Sequence, residues 1–294
     1  MSPARGPVVP RRRLGAGLRA LRERAGLTID DVAKELECSV SKVSRLETGQ
    51  GIPKSRDVRD LLDRYGVEDQ AQRDRFMRWV REGQRQGWWS DYSDVLAPDP
   101  DNPLLPDNLS RYVALEQDAS EVHAFEAALV PGLLQTADYA RAVLDTLSTA
   151  DREATDRLVE LRMRRQARLY ADEDALTGHF ILDEAVLHRV VGGEQVMQGQ
   201  LKRLLADARR PNITVQVLPF NVGAHRSVDG PFTVLLFPDS DDSDLVYIES
   251  HVGCFYFEKE HDVRVYKQIF DVLVNTSMSA EWSAASIGKF LLDD

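Results

Sequence analysis

Between Thr28 and Gly49 the sequence spells two short helices with almost nothing between them, and this stretch constrains the chain more than any other. Thr28 can cap the free N–H groups of a helix start, and Asp31 stands where the acid of a capping box belongs. Val32, Ala33 and Leu36 then form an inward stripe. A break at Glu37–Cys38 leads to Ser39, a second good N-cap, and to a helix from Val40 to Thr48 that Gly49 ends. Val43 and Leu46 face inward. Upstream, Leu14, Leu18 and Leu21 recur at helical spacing before Gly26; downstream, Pro53 and Ser55 open a helix with Val58, Leu61 and Leu62 as its stripe. Two short helices joined by a tight turn inside a small bundle make a helix-turn-helix. The small Ala33 lets the second helix approach closely, and Cys38 fills the turn. The second helix then projects its N-terminal half outward, on the scale of a DNA major groove. The candidate DNA-contacting residues are Thr28, Ser39, Val40, Ser41, Lys42, Ser44 and Arg45. Arg45 can bridge the O6 and N7 acceptors of guanine, Val40 can pack on a thymine methyl, and Lys42 and the serines suit phosphates or base edges.

Charge divides the chain. The net charge is −11, but residues 1–87 carry nineteen Lys and Arg against thirteen Asp and Glu, whereas residues 88–294 carry eighteen against thirty-five. A head with a surplus of +6 and a body at −17 direct a polyanion such as double-stranded DNA to the head alone. Residues 1–13 lack periodicity and read as a disordered basic arm. Arg11, Arg12 and Arg13 either reach phosphates or a minor groove, or belong to a solubilising tail. Cys38 and Cys254 lie far apart with no metal-type spacing, which predicts a reducing, cytoplasmic setting and no disulfide. No apolar run is long enough for a membrane span, and the arginines near the N-terminus precede no apolar core of a secretory signal.

The stretch LTIDDVAKELECSVSKVSRLETGQGIP resembles an Xre/Cro-type helix-turn-helix, which covers about residues 14–66. Where many members of that family carry two bracing glutamines, after the Thr28-type position and at the Val40-type position, this chain has Ile29 and Val40. The resemblance therefore implies apolar contact to thymine methyls in place of amide readout of adenine.

Residues 67–87 read as a connecting helix carrying Phe76, Trp79 and Val80, with Arg73, Arg75, Arg78, Arg81 and Arg85 along it. The Pro- and Asp-rich run at 84–107 marks a domain boundary, and Trp88 and Trp89 are expected to anchor the second domain, 88–294. That domain reads as α/β of the α+β kind, a largely antiparallel sheet covered by helices. Its expected strands are Phe125–Val130, Gly178–Asp183, Ile213–Leu218, Phe232–Phe237, Leu245–Glu249 and Cys254–Glu258, with a helix over Leu109–Val122 before them. The fold class is thus an all-α helix-turn-helix domain followed by an α+β domain. The runs LVPGLLQTADYARAV, RMRRQARL, ILDEAVLHRVVGG, PNITVQVLPFNVGAH and VYIES resemble the regulatory domain of the WhiJ-like, Scr-type, antitoxin-like regulators of actinobacteria. That resemblance implies a small BldB-like partner protein that binds the regulator. Recognition of two half-sites by such heads predicts a homodimer.

His179, Asp183, Glu184, His188, His225, Glu249 and His251 could support acid–base chemistry. No G-x-S-x-G, H-E-x-x-H, P-loop or C-x-x-C accompanies them, so no catalytic residue, cofactor or metal is assigned and the chain is read as a non-enzyme. The loop Asn221–Gly230 offers His225, Arg226 and Asp229 as a ligand or partner surface, or forms a plain hairpin connection. The body thus binds a protein or, alternatively, senses or turns over a small molecule.

Overall fold

The computed structural model describes residues 8–96, 109–147, 151–238, 243–250 and 253–291. These fall into two compact units: 8–94 with 110–118, and 95–96 with 109, 119–147, 151–238, 243–250 and 253–291.

The first unit is all-helical. Helices α1 (Val8–Arg24), α2 (Ile29–Glu35), α3 (Val40–Glu47), α4 (Ser55–Arg64) and α5 (Gln70–Gln84) surround one core of Leu14, Leu18, Val32, Ala33, Val43, Val58, Leu62, Phe76 and Val80. A 3₁₀ turn (Trp88–Tyr92), α6 (Ser93–Leu96) and α7 (Leu109–Asp118) follow. Helix α1 begins six residues earlier than the leucine spacing predicts, so the arm does not extend through residue 13. Pro10 is compatible with that start, because a proline in the first helical turn removes only an N–H that has no partner there. Trp88 and Trp89 also depart from expectation. Trp89 is buried, and the Trp88 indole N–H donates to Gln117 Oε1 at 2.8 Å. Both fall within the first unit, where Trp88 is bonded to α7, and not within the second as expected.

The second unit is a six-stranded sheet in the order β3-β2-β1-β4-β5-β6 with helices. Its elements run β1 (Glu121–Glu126), α8 (Ala137–Leu147), α9 (Arg152–Gln166), β2 (Thr177–Asp183), α10 (Ala185–His188), α11 (Glu194–Asp207), β3 (Ile213–Leu218), β4 (Phe232–Leu236), β5 (Leu245–Ser250), β6 (Gly253–Phe257), α12 (Glu260–Thr276) and α13 (Ala280–Gly288). The late strands pair antiparallel, as expected, whereas β1, β2 and β3 are parallel, which the hairpin-like spacing of the late strands did not reveal. The first strand starts at Glu121, where a helix was predicted. Its register decides this: Glu121 pairs with Thr177 and His123 with His179, leaving 127–130 as the approach to the Pro131–Gly132 corner.

The motif VPGLLQT is held by buried glutamines. Gln135 Nε2 donates to Val130 O at 2.7 Å, Gln166 Nε2 to Gly132 O and Gln135 O, and Gln200 Nε2 to Leu134 O at 2.8 Å. Each satisfies backbone carbonyls that the turn leaves unpaired, so this run is a scaffold corner in this chain. One sheet edge is closed by α13 and by Met278, two residues before it: Met278 N donates to Val217 O, and Ser283 Oγ accepts from Val217 N, both at 2.9 Å.

Candidate nucleic-acid interface

Helix α3, the candidate recognition helix, is fixed at its start and at its core face. At its start Ser39 Oγ accepts from Lys42 N at 3.2 Å. The preceding helix is fixed by a full capping box: Thr28 Oγ1 accepts from Asp31 N, and Asp31 Oδ2 accepts from Thr28 N at 2.9 Å. The Thr28 hydroxyl, which donates to Asp31 Oδ2 at 2.6 Å, and then the Thr28 N–H hold the Asp31 carboxyl below its ordinary pKa. In the turn, Cys38 N donates to Ala33 O at 2.9 Å, and Cys38 packs against the head core. Glu37 takes a left-handed backbone, φ 48°.

At the core face an ion pair invisible to periodicity sets the helix. Arg22 of α1 meets Glu47 of α3 with two bonds, Nε to Oε1 at 2.7 Å and the second guanidinium nitrogen to Oε2 at 3.0 Å, while its third nitrogen reaches Leu27 O at 2.9 Å. Both side chains are buried. The bond to Glu47 raises the Arg22 pKa above the ordinary arginine value. The guanidinium thus ties α1, the α1–α2 loop and α3 together in fork geometry. Gly15 allows the helices to meet: a Cβ there would lie 2.5 Å from Glu47 O. A glycine inside a helix weakens it by about 1 kcal/mol relative to alanine, and that local penalty was the available signal that a neighbour passes close.

The outward face of α3 carries Ser41 and Arg45, both exposed, flanked by Val40 at 44% exposure and half-buried Ser44. Arg45 has no acid partner among the described residues. Its carbonyl is used internally, accepting from Gln50 N and Gly51 N, so the guanidinium is the part left for a ligand. Lys42 differs from expectation: its Nζ lies 2.6 Å from Asp57 Oδ2 of α4, which makes it a brace that must exchange partners to meet a phosphate. The Thr28 hydroxyl is likewise engaged by its capping box. Ser39 is exposed beside them.

The three arginines expected in the arm are helical instead. Arg11 is 1% exposed, its Nε donates to Gly83 O at 2.7 Å, and burial lowers its pKa to about 10. It locks α1 to α5 and is not free to reach DNA. Arg12 and Arg13 are half-buried in the same helix, and the Arg12 backbone touches Gly49.

In the second unit His225 and Asp183 come together, Nε2 to Oδ2 at 4.0 Å, with the His225 ring edge-on to Phe125. Ser227 N donates to His225 Nδ1 at 3.3 Å. Arg226 and Asp229 are exposed on the same loop. Glu184 accepts from Phe220 N and lies 3.7 Å from His188, while His179 is bonded to Gln216 under α12. Glu249 lies at the end of β5, and His251 is outside the described residues. Among the described residues no cluster of three or more His, Cys, Asp or Glu is arranged to hold a metal ion, and no helix is long and apolar enough to cross a membrane.

Comparison with known proteins finds two families along the chain, the second of which begins at α7. A family described as helix-turn-helix domain matches residues 13–76, and one described as domain of unknown function (DUF5753) matches residues 109–289. No curated protein and no solved structure matches the chain. The head is a helix-turn-helix DNA-binding domain of the kind found in regulators, and the chain belongs to the DUF5753 family.

Proposed function

We propose that this protein is a sequence-specific transcription regulator that binds its operator as a homodimer through the Val40–Arg45 face of α3. The observation that carries the reading is the unpaired, outward Arg45 on a helix held by a cap, a buried ion pair and a close glycine contact. Such a helix presents its side chains in one arrangement, which base readout requires. The head is too small to discriminate a site alone, and two half-sites about one turn apart supply the rest. Selection of bound duplexes from a random pool, followed by titration, tests this. Arg45→Ala should cost about 1–3 kcal/mol on the selected site and relax one base position. Full affinity in that variant removes Arg45 from the readout, and a monomer on a single asymmetric half-site removes the dimer.

The second unit is proposed to bind a small BldB-like protein in an antitoxin-like arrangement that changes operator occupancy. Its acidic balance argues against a second DNA module. Helix α7 ends at Asp118 and β1 begins at Glu121, so only two residues separate a helix of the first unit from the central strand of the second. That connection is the proposed route of coupling, which must be reciprocal between partner and DNA. Titrating the partner into the full chain with and without operator should give two affinities; equal affinities sink the coupling. A second reading makes the body a small-molecule sensor, favoured by the close approach of His225 and Asp183 at the carboxyl ends of parallel strands. Ligands of open α/β sheets bind at such ends. A ligand that raises the melting temperature of wild type and not of His225→Ala supports it.

A further inference from the structure

The ion pair between Lys42 and Asp57 has one fixed end and one movable end. Lys42 Nζ lies 2.6 Å from Asp57 Oδ2, with 41% of the lysine side chain and 20% of the aspartate exposed. Asp57 is the one acid in the first turn of α4, where free backbone N–H groups favour negative charge. Its neighbour Val58 is buried in the head core, so the backbone that carries the carboxylate is held. Lys42 instead hangs its ammonium on a flexible four-carbon stem. At 3.6 residues per turn, Lys42 lies roughly 80° around α3 from the centre of the outward Ser41 and Arg45, and roughly 70° from the centre of the buried Val43 and Leu46. It therefore stands on the flank of α3 that meets α4. A helix with its side chains is about 10–12 Å wide and a major groove about 12 Å, so the flanks of a helix lying in the groove meet the sugar-phosphate strands.

We propose that Asp57 is a built-in brake on DNA affinity: it holds the Lys42 ammonium in the free protein, and binding DNA requires Lys42 to pass from this carboxylate to a phosphate. This rests on the DNA-binding reading of the α3 face and names a contact that limits it. The carboxylate and the phosphate offer the ammonium the same kind of charge-assisted bond, so one replaces the other. An exposed ion pair is weak enough to be exchanged, yet its loss subtracts from every binding event. On release from DNA the ammonium returns to a partner already in place. The brake acts on any duplex that α3 enters, because phosphates are common to all sequences.

The test measures the full chain and the variants Asp57→Asn, Lys42→Gln and the two combined on a random duplex and on the duplex selected from a random pool. Thermal melts show that each is folded, and Asp57→Ala is a second neutral variant of high helix propensity. Asp57→Asn and Asp57→Ala should each bind both duplexes about 1.5- to 5-fold more tightly, the range spanned by exposed ion pairs. In the Lys42→Gln background the same change should bring no gain. Between about 50 and 200 mM salt, Lys42→Gln should flatten the slope of log affinity against log salt by about 0.9, so that wild type loses about 3.5-fold more affinity over that range than the variant. Unchanged or weaker binding by both Asp57 variants overturns the proposal, since the carboxylate then supports Lys42 in place. A gain that persists beside Lys42→Gln overturns it too, because Asp57 then acts through its own charge. An unchanged salt slope for Lys42→Gln shows that the ammonium never reaches a phosphate and overturns it as well. Absence of any preferred duplex in wild type defeats the sequence-specific reading alone, since the random duplex still reports on the exchange.

Discussion

The Arg22–Glu47 contact of the head and the Glu126–Glu249 contact of the body are opposite kinds of charge neighbourhood, the first of unlike and the second of like charge. In the head the buried ion pair Arg22–Glu47 is matched bond for bond, and the guanidinium also finds a backbone carbonyl. In the body Glu126 at the end of β1 has its pKa raised to about 8, first by burial, then by the like charge of Glu249, against the opposing pull of Arg162. Glu249 is also raised, mainly by burial. A matched pair makes geometry rigid, whereas a carboxyl near its titration point makes stability depend on conditions.

The sharpest way to break that comparison is Glu47→Ala. It strands the Arg22 guanidinium in the core and should destabilise the head by about 3–5 kcal/mol, as removal of one partner of a buried pair does. Urea unfolding should show the head melting earlier while the body transition stays in place. Replacing both partners, Arg22→Met with Glu47→Leu, should restore most of that loss, because an apolar pair leaves no orphan charge. If the double variant is as unstable as the single one, the pair does more than satisfy itself.

These two regions also differ in how much of them the residues announce. The caps Thr28 and Ser39, the stripe Val43 and Leu46, and the stop at Gly49 are local signals, and helices lie where they point. The strand Ile213–Leu218 is found as predicted, because its apolar run is bounded by turn residues on both sides. What escaped was decided at a distance. Arg11 looked like part of a solvated arm, and only Gly83 O, seventy-two residues away, explains its burial. The burial of Glu47 depends on Arg22 of α1, twenty-five residues earlier, which no pattern within α3 announces. The true start of β1 depends on pairing with Thr177 and His179, which no window of neighbouring residues contains. Within the proposed DNA-reading face, residue types were legible, but the engagement of Lys42 by Asp57 was not, since α4 brings the acid.

A smaller effect is expected in the body from Glu126→Gln. A carboxyl whose folded pKa is raised contributes stability that is complete below its unfolded pKa, about 4.3, and is lost as pH rises through the folded value near 8. The body should therefore lose stability between pH 5 and 8, and the glutamine variant should flatten that slope and gain about 1 kcal/mol at pH 8. Thermal melts across this range decide it. A wild-type body whose melting temperature does not fall, or a variant with the same slope, removes Glu126 from this role. Asp31 of the head is shifted the other way, its pKa lowered by its bonds to Thr28, so it adds nothing to a loss of stability as pH rises from 5 to 8.

The smallest effect compares two strained corners. Glu37 in the α2–α3 turn has φ 48°, and Asp174 in the approach to β2 has φ 51°. A left-handed backbone crowds the Cβ of an L-residue by about 1–2 kcal/mol, which glycine avoids, although glycine also loses more freedom on folding. Aspartate visits this region more readily than glutamate, because its short side chain can bond locally. The Asp174 carbonyl additionally accepts from Arg168 at 3.1 Å, so that corner is held by a bond that glycine retains. Glu37→Gly should therefore stabilise the head by about 0.5–1 kcal/mol, and Asp174→Gly should change the body by less than about half of that. Glu37 is exposed, so little contact is lost with its side chain. If Glu37→Gly destabilises the head, the glutamate chain itself supports the turn, and the corner that sets the angle of the recognition helix owes its shape to more than backbone geometry.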